Sequence, residues 1–457
     1  MLTEPTWIRL LPVPWNASAA TSEVVSKWRM VTALASLREA KAVQEITPAY
    51  DSGMPLTRRN AGSQTSLRDA NRARLVEAVR HFGGMTQVEL SSATGLSPAT
   101  VSTIVKVLTG AGVLETHTTS RSGRRAVRVT IARQVGLVAG IHVGARTLRV
   151  ALSDLALDVV AEQQLPLPPD HRLDATLDRA ALLALDLVEH VGARLAEIHA
   201  VGVAVPGPVD KSGTFAIDGA LRGWDGVSLA DVIGTRLGVP VYAEKDANLA
   251  ALAEHTLGVA QGRDDFLYVR AGATTTAAVI VGGQVMRGVA GTAGEIGHVA
   301  VDPQGQICRC GLRGCLDTVV GEQALTAAVR NSHGNLSLRD LVSLATKGDV
   351  GCRRTLGDAG LAIGAVTGAI LAALAPSAVV VGGELVQGSD CLAVGIREAV
   401  ERCALPRRSG PTPVLVGDLR DRAEILGALA LARRNAPVPT SPILASAPEP
   451  AVPRGAP

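Results

Sequence analysis

The chain has 457 residues, 47% of them apolar and 19% charged, enough for several buried cores and too apolar for a disordered, collagen-like or coiled-coil chain. The formal net charge is +3, so the molecule as a whole is no polycation. Six cysteines over this length exclude a disulfide-stapled secreted scaffold.

Residues 1–65 read as an extension. Three of the four Trp and one of the three Tyr (Trp7, Trp15, Trp28, Tyr50) precede Met54. The first 53 residues are expected to be flexible or weakly helical, or to lie upstream of a translation start near Met54. Nothing in them has the charged, apolar and small-residue parts of a signal peptide, so a cytoplasmic protein is expected.

Residues 66–131 form a basic block, with nine Arg and Lys against four acids. A polyanion partner is expected for it. Leu67 to Phe82 predicts a helix with Leu75, Val76 and Val79 on one side and Ser66 as N-cap; Gly83-Gly84 breaks it. A second helix is expected over Thr86 to Thr94, with Val88 and Leu90 as its apolar positions, and Gly95 turns the chain. Ser97 then caps a third helix with Pro98 in its first turn, where a missing N–H costs nothing. Val101, Ile104, Val105 and Leu108 form its buried stripe. Its other face carries Ala99, Thr100, Ser102, Thr103 and Lys106, small and hydroxylated groups suited to the major groove. A hairpin follows with a polar tip at His117 to Gly123 and arginines at Arg124, Arg125 and Arg128. It reads as a wing aimed at phosphates or the minor groove. The block is therefore read as a winged helix-turn-helix that binds double-stranded DNA, with Ser97, Ala99, Thr100, Ser102, Thr103, Lys106, Arg124 and Arg125 as contact residues.

Residues 135–435 alternate short Val/Leu/Ile runs with Ala/Leu-rich stretches, an α/β pattern. The uncharged run Gly360 to Ala375 ends at Pro376 and is short for a membrane span, so it is expected to be a buried helix feeding a strand at Ala378 to Val381. Three cysteines fall within eight residues, Cys308, Cys310 and Cys315, and His298 lies ten residues before the first. One His and three Cys supply the four soft ligands of a closed, structural zinc site. Cys352, Cys391 and Cys403 are scattered and read as core residues. Residues 436–457, rich in proline from Pro437 on, read as a disordered tail.

Several stretches together resemble the ROK family of bacterial sugar kinases and sugar-responsive repressors. The most specific is Glu295-Ile296-Gly297-His298 followed by Cys308-Arg309-Cys310-Gly311-Leu312-Arg313-Gly314-Cys315. Others are Val205-Pro206-Gly207-Pro208-Val209, Glu244-Lys245-Asp246-Ala247-Asn248 and Val379-Val380-Val381-Gly382-Gly383. The resemblance covers residues 66–435 and implies two α/β lobes of the actin-like ATPase type. A winged helix ahead of such a domain is similar to the repressor branch.

The resemblance also assigns roles. Asp246 matches the family's catalytic base, and Glu295 and His298 match residues that contact sugar hydroxyls. Lys245 stands where an Asn is usual, and Asp317 where a Glu is. Lys245 is expected to pair with Asp246 or Glu244, or to recognise an anionic sugar. The first phosphate loop, approximately Asp-x-Gly-Gly-Thr in the family, reads His142-Val143-Gly144-Ala145-Arg146-Thr147. An imidazole is a poor substitute for a carboxylate that works with Mg²⁺. The second, roughly Gly-Thr-Gly-x-Gly, reads Gly272-Ala273-Thr274-Thr275-Thr276-Ala277, and each added β-carbon obstructs a phosphate. Gly382-Gly383, on the adenosine side, is kept.

The expected protein is a DNA-binding transcriptional regulator, a repressor of carbohydrate-related genes with its kinase activity lost. It would respond to a sugar or sugar phosphate held by Asp246, Lys245, Glu295, His298 and Asp317. Homodimers or homotetramers on a palindromic operator are expected, with no membrane partner. The alternatives are an ATP-dependent sugar kinase and a constitutive DNA-binding protein with a dead sugar site.

Overall fold

The first described element, α1 (Gln64–Phe82), buries Leu75, Val76 and Val79 and stops at Gly83. It begins at Gln64, so Ser66 lies inside it rather than capping it. The structure is a computed structural model describing residues 64–436 except 122–123, 133–134, 169–170, 217–222, 225, 388–389 and 404–409. The readings of residues 1–63 and of the tail 437–457 fall outside the described residues.

A short strand, β1 (Met85–Thr86), leads into α2 (Gln87–Thr94). Thr86 and Glu89 form a reciprocal capping box at its start. Leu90 is buried, but Val88 is 77% exposed. Two apolar residues two positions apart cannot share the inner face of a helix, and only Leu90 took it. Gly95, at φ 67°, closes the helix. Ser97 caps α3 (Pro98–Gly110) by accepting from Thr100 N, and Val101, Ile104, Val105 and Leu108 are its buried stripe. The hairpin β2 (Leu114–Arg121) and β3 (Arg124–Ile131) follows, with β1 added beside β3. Its strands pair as far as Arg121 and Arg124, so the tip is narrower than the expected His117 to Gly123. Leu75, Leu90, Leu108 and Leu114 are at most 1% exposed, and each contributes about 1.5–3 kcal/mol by burial.

Two five-stranded sheets follow. The first comprises β4 (Leu137–Val143), β5 (Thr147–Asp154), β6 (Val159–Pro166), β7 (Ile198–Val205) and β8 (Val241–Lys245), in the order β6-β5-β4-β7-β8. Its helices are α4 (Leu173–His190), α5 (Leu229–Leu237) and α6 (Asp246–Thr256). The second comprises β9 (Phe266–Ala271), β10 (Thr275–Val281), β11 (Gln284–Val285), β12 (Ala378–Gly382) and β13 (Val414–Val416), in the order β11-β10-β9-β12-β13. In each, the first strand in sequence pairs antiparallel with the next and parallel with a later one reached through helices. The parallel strands β7 and β12 are almost wholly buried, as strands covered on both faces must be. This repeated pattern is the two-lobed actin-like sugar-kinase fold.

The second lobe adds α7 (Asp317–Val320), α8 (Glu322–His333), α9 (Leu338–Thr346), α10 (Val350–Leu374) and α11 (Asp390–Cys403). By length and composition α10 could cross a membrane, but half of its most apolar window is buried and it packs along α11. It is a core helix, and β12 follows it as expected. Cys352 is buried, Cys391 is half-buried and Cys403 is exposed, so the last is not a core residue.

The final helix, α12 (Ala423–Asn435), returns to the first lobe and packs on β4, β7 and α6. Its apolar residues Ile425, Leu429 and Leu431 join the winged helix's Leu75, Val76 and Val79 in one continuous apolar cluster. The winged helix is thus docked on the large domain through α12.

Candidate functional site

The third helix of the winged helix, α3, leaves most of its candidate contact residues open to solvent. Ser97, Ala99, Ser102, Thr103 and Lys106 are exposed and Thr100 is half-buried. The Thr103 hydroxyl donates to Ala99 O at 2.9 Å, leaving its oxygen free to accept. Arg124 and Arg125 lie on β3, but their side chains fall outside the described residues. Arg128 turns inward instead and donates from Nε to Gly84 O at 3.1 Å.

In the large domain, β8 runs directly into α6, which buries Glu244, Lys245 and Asp246 at the junction. The Lys245 ammonium is fully buried and saturated. It donates to Ala277 O at 3.1 Å, to Ala293 O at 2.6 Å and to Glu295 Oε1 at 3.0 Å. This corrects the expected pairing with Asp246 or Glu244, and no donor remains for an anionic sugar. Glu244 is instead met by Arg287, Asn248 and the Lys245 backbone N–H.

Asp246 faces Arg270, which comes from β9 of the other lobe. Arg270 Nε lies 3.4 Å from Asp246 Oδ2 and 2.8 Å from Glu424 Oε1, at the start of α12. Burial raises the Asp246 carboxyl above the ordinary carboxylate range, and Arg270 only partly offsets this. Burial pulls Glu424 upward as well, but Arg270 and then His142 more than reverse it, so its carboxyl is held low. Arg270 and Glu424 were not singled out from the sequence. They are 154 residues apart, and no local pattern links them. The one available signal was a charged residue inside each of two otherwise apolar segments.

His142, at the end of β4, borders this network. Burial lowers its pKa below the ordinary 6.5, against upward pulls from Glu424 and Asp246, so the ring is neutral near pH 7. A depressed imidazole adds stability above about pH 6.5 that is lost as pH falls toward the folded-state value. His142→Asn is therefore expected to flatten part of the acid limb of a melting-temperature profile between pH 7.5 and 4.5. An unchanged limb refutes this.

The second phosphate loop is lined with side chains. Thr275 N donates to Asp317 Oδ1 at 2.8 Å, which fixes Asp317 beside the loop. The hydroxyls of Thr275 and Thr276, His142 Nε2 and Asn248 Oδ1 are buried without partners. Buried polar atoms without partners are costly and point to a polar occupant. Arg146 reaches across from the first lobe to within 3.6 Å of Glu322. The structure therefore gathers Asp246 and Lys245 from one lobe with Glu295, His298 and Asp317 from the other.

His298 closes a short turn, Ile296–His298, directly after Glu295. Its Nδ1 lies 3.6 Å from Cys308 Sγ, and Cys310 Sγ lies 3.7 Å from Cys315 Sγ. All four donor atoms fall within 4.8 Å of one another, a cluster able to hold a metal ion. The loop is a small hairpin pinned by Ile307–Arg313 and Ala300–Cys315 bridges. Gly314, at φ +66°, admits no side chain, because a Cβ there would sit 1.5 Å from Asp302 O. A second group, His333, Asp349 and Cys352, is a helix cap. Asp349 accepts from Cys352 N at 2.8 Å and pairs with His333 at 3.0 Å.

The MarR family profile matches residues 68–126. The xylose repressor of Bacillus spizizenii is 26% identical over 371 residues, spanning 80% of this chain and 95% of that protein. The DNA-binding transcriptional dual regulator NagC of Escherichia coli is 28% identical over 389 residues, spanning 82% and 94%. Among solved structures, a ROK family transcriptional regulator homologous to the E. coli MLC protein superposes with a TM-score of 0.65 at 23% identity, covering 80% and 96%. A ROK family glucokinase from Streptomyces griseus, solved with glucose and AMPPNP, gives 0.59 at 26% identity over 65% of this chain and all of that one. The ROK family profile matches residues 138–435, and with its two lobes and Cys/His loop the chain belongs to the ROK family.

Proposed function

We propose that this protein is a transcriptional repressor that binds operator DNA through residues 66–131 and responds to a sugar held by residues 135–435. The carrying observation is that the exposed face of α3 sits on a winged helix docked, through α12, on a sugar-kinase fold. Ser97, Ala99, Thr100, Ser102, Thr103 and Lys106 would meet the major groove, with Arg124 and Arg125 on adjacent phosphates. Two copies on a palindromic operator follow from the two-fold logic of such regulators, in a dimer or tetramer, and the setting is cytoplasmic. Selection of genomic fragments by the purified full chain at stated salt tests this. Enrichment of one palindromic site supports it, and enrichment of none refutes it. Lys106→Ala should weaken binding to all sequences and reduce the salt slope by about one unit, as loss of one phosphate contact does.

Glu295, Asp317, Asp246 and the unpartnered threonine hydroxyls would bind the effector. Lys245 is saturated and Arg270 is shared by two carboxylates, which favours an uncharged polyol over a sugar phosphate. Ligand binding shifts the operator-bound population only if it prefers one arrangement of the lobes.

The Cys/His cluster is read as a structural zinc site. Zinc bonds of about 2.3 Å to sulfur and about 2.0 Å to nitrogen give tetrahedral sulfur–sulfur and sulfur–nitrogen edges of about 3.8 and about 3.5 Å, close to the 3.7 and 3.6 Å found here. His298, Cys308, Cys310 and Cys315 would hold the ion, which supplies no open position for chemistry. Its role would be to fix the turn that carries Glu295.

A second reading, a sugar kinase, rests on the glucokinase likeness and on Asp246. Against it, the Asp246 carboxylate is held by Arg270 rather than free to accept a hydroxyl proton, and both phosphate loops carry side chains. Sugar-dependent ADP production would establish the kinase, and silence across a broad sugar panel would remove it.

A further inference from the structure

The seam between the winged helix and the large domain is built from arginines. Arg80 of α1 donates to Arg434 O and, at 3.2 Å, to Ala436 O, capping the free carbonyls at the end of α12. Arg433, in the last turn of α12, is 1% exposed, and its Nε and Nη2 have no hydrogen-bond partner. Arg434 Nε is unpartnered too. The guanidinium of Arg433 packs on Gly83, where a Cβ would meet Nη1 at 3.1 Å. That of Arg128 packs on Gly84, where a Cβ would fall 2.1 Å from Nε. The glycine pair at the end of α1 thus makes room for two guanidinium groups side by side.

No acid among the described residues answers this charge. Burial, and after it the neighbouring cations Arg434, Arg128 and Arg80, push the Arg433 pKa down to about 9. Glu77, the acid one turn before Arg80, is bound by Arg80 itself. A buried cation without a counter-charge is strongly destabilising, whereas guanidinium forks match tetrahedral oxyanions bidentately.

We propose that this seam is a binding site for a phosphate-class oxyanion, held by Arg433 and Arg128 between the winged helix and the C-terminal helix. Among the described residues, Arg433 Nε and Nη2 have no partner, and the bond that Arg128 makes is from Nε. The anion would fasten the DNA-binding unit to α12. That helix carries Glu424 in its first turn and Arg433 in its last, about 14 Å apart at 1.5 Å per residue. One rigid element therefore joins the effector network to the anion seam, so that occupancy at one end bears on the other.

The test is a thermal melt of the full chain, without DNA, in inorganic phosphate against chloride at matched ionic strength. The wild type should gain several degrees in 10 mM phosphate, a stabilisation that grows with the logarithm of ligand concentration. Arg433→Met removes the unpaired charge. It should melt no lower than wild type in chloride and gain nothing from phosphate. Arg128→Ala, at a half-buried position, should shift the phosphate dependence to about tenfold higher concentration. The proposal is overturned by a wild type indifferent to phosphate, or by an equal gain in wild type and both variants.

Discussion

Replacing Arg270 with methionine is expected to cost the large domain roughly 3–5 kcal/mol at neutral pH, the usual penalty for breaking a buried ion pair from one side. Asp246 and Glu424 are 3% and 4% exposed, and both lie within 3.4 Å of the Arg270 guanidinium. Without it, two buried carboxylates face each other. Methionine fills similar volume, so the loss reports charge rather than a cavity. The pH dependence gives an independent check. Unpaired, both carboxyls will have folded-state pKa values above their unfolded ones, so the variant binds more protons folded than unfolded and gains stability as pH falls. The gap between wild type and variant should be widest at pH 7 and close toward pH 4. Adding Glu424→Ala to Arg270→Met should recover part of the loss, because one buried charge is then gone. A neutral-pH difference under 1 kcal/mol, or one that does not narrow in acid, refutes the network as a structural brace.

Cys310→Ala is expected to abolish zinc binding, from about one ion per chain to none, and to lower the melting temperature by several degrees. Cys310 is the informative position because its side chain is exposed, whereas Cys315 is fully buried. Truncating Cys310 opens no cavity, so any destabilisation passes through the metal. A chelator should lower the wild type to the variant's level and leave the variant where it is. Unchanged metal content and melting in the variant refute the site. Loss of metal with melting unchanged would remove its bracing role. Because His298 follows Glu295 by one short turn, metal loss should also weaken any sugar-induced melting shift.

The winged helix was legible because its signals are local. Ser97-Pro98, Gly95 and the stripe Val101, Ile104, Val105, Leu108 each act within one or two turns, and the backbone obeys them. Val88 escaped because an eight-residue helix has room for one inward row, and composition does not say which apolar residue takes it. The Cys/His cluster was legible from its spacing, since three cysteines within eight residues cannot lie far apart.

The charge partners were another matter. Lys245 stands next to both Glu244 and Asp246 in sequence, yet its partner is Glu295, 50 residues away. Glu244 and Lys245 are neighbours on an extended strand and point to opposite faces, while Asp246 already belongs to α6. Arg270, Glu424 and Arg433 were not singled out from the sequence, because the groups around them come from distant segments.

The sequence by itself determined the order of the units, the helix capped at Ser97-Pro98 and the Cys/His cluster, through backbone propensity and close spacing. The altered phosphate loops were legible only through the family resemblance. Only the tertiary structure decided which buried charges meet, because an ion pair is fixed by distance in space and by loss of water. It also decided that the seam beneath the winged helix is a row of arginines with no acid among the described residues to answer them.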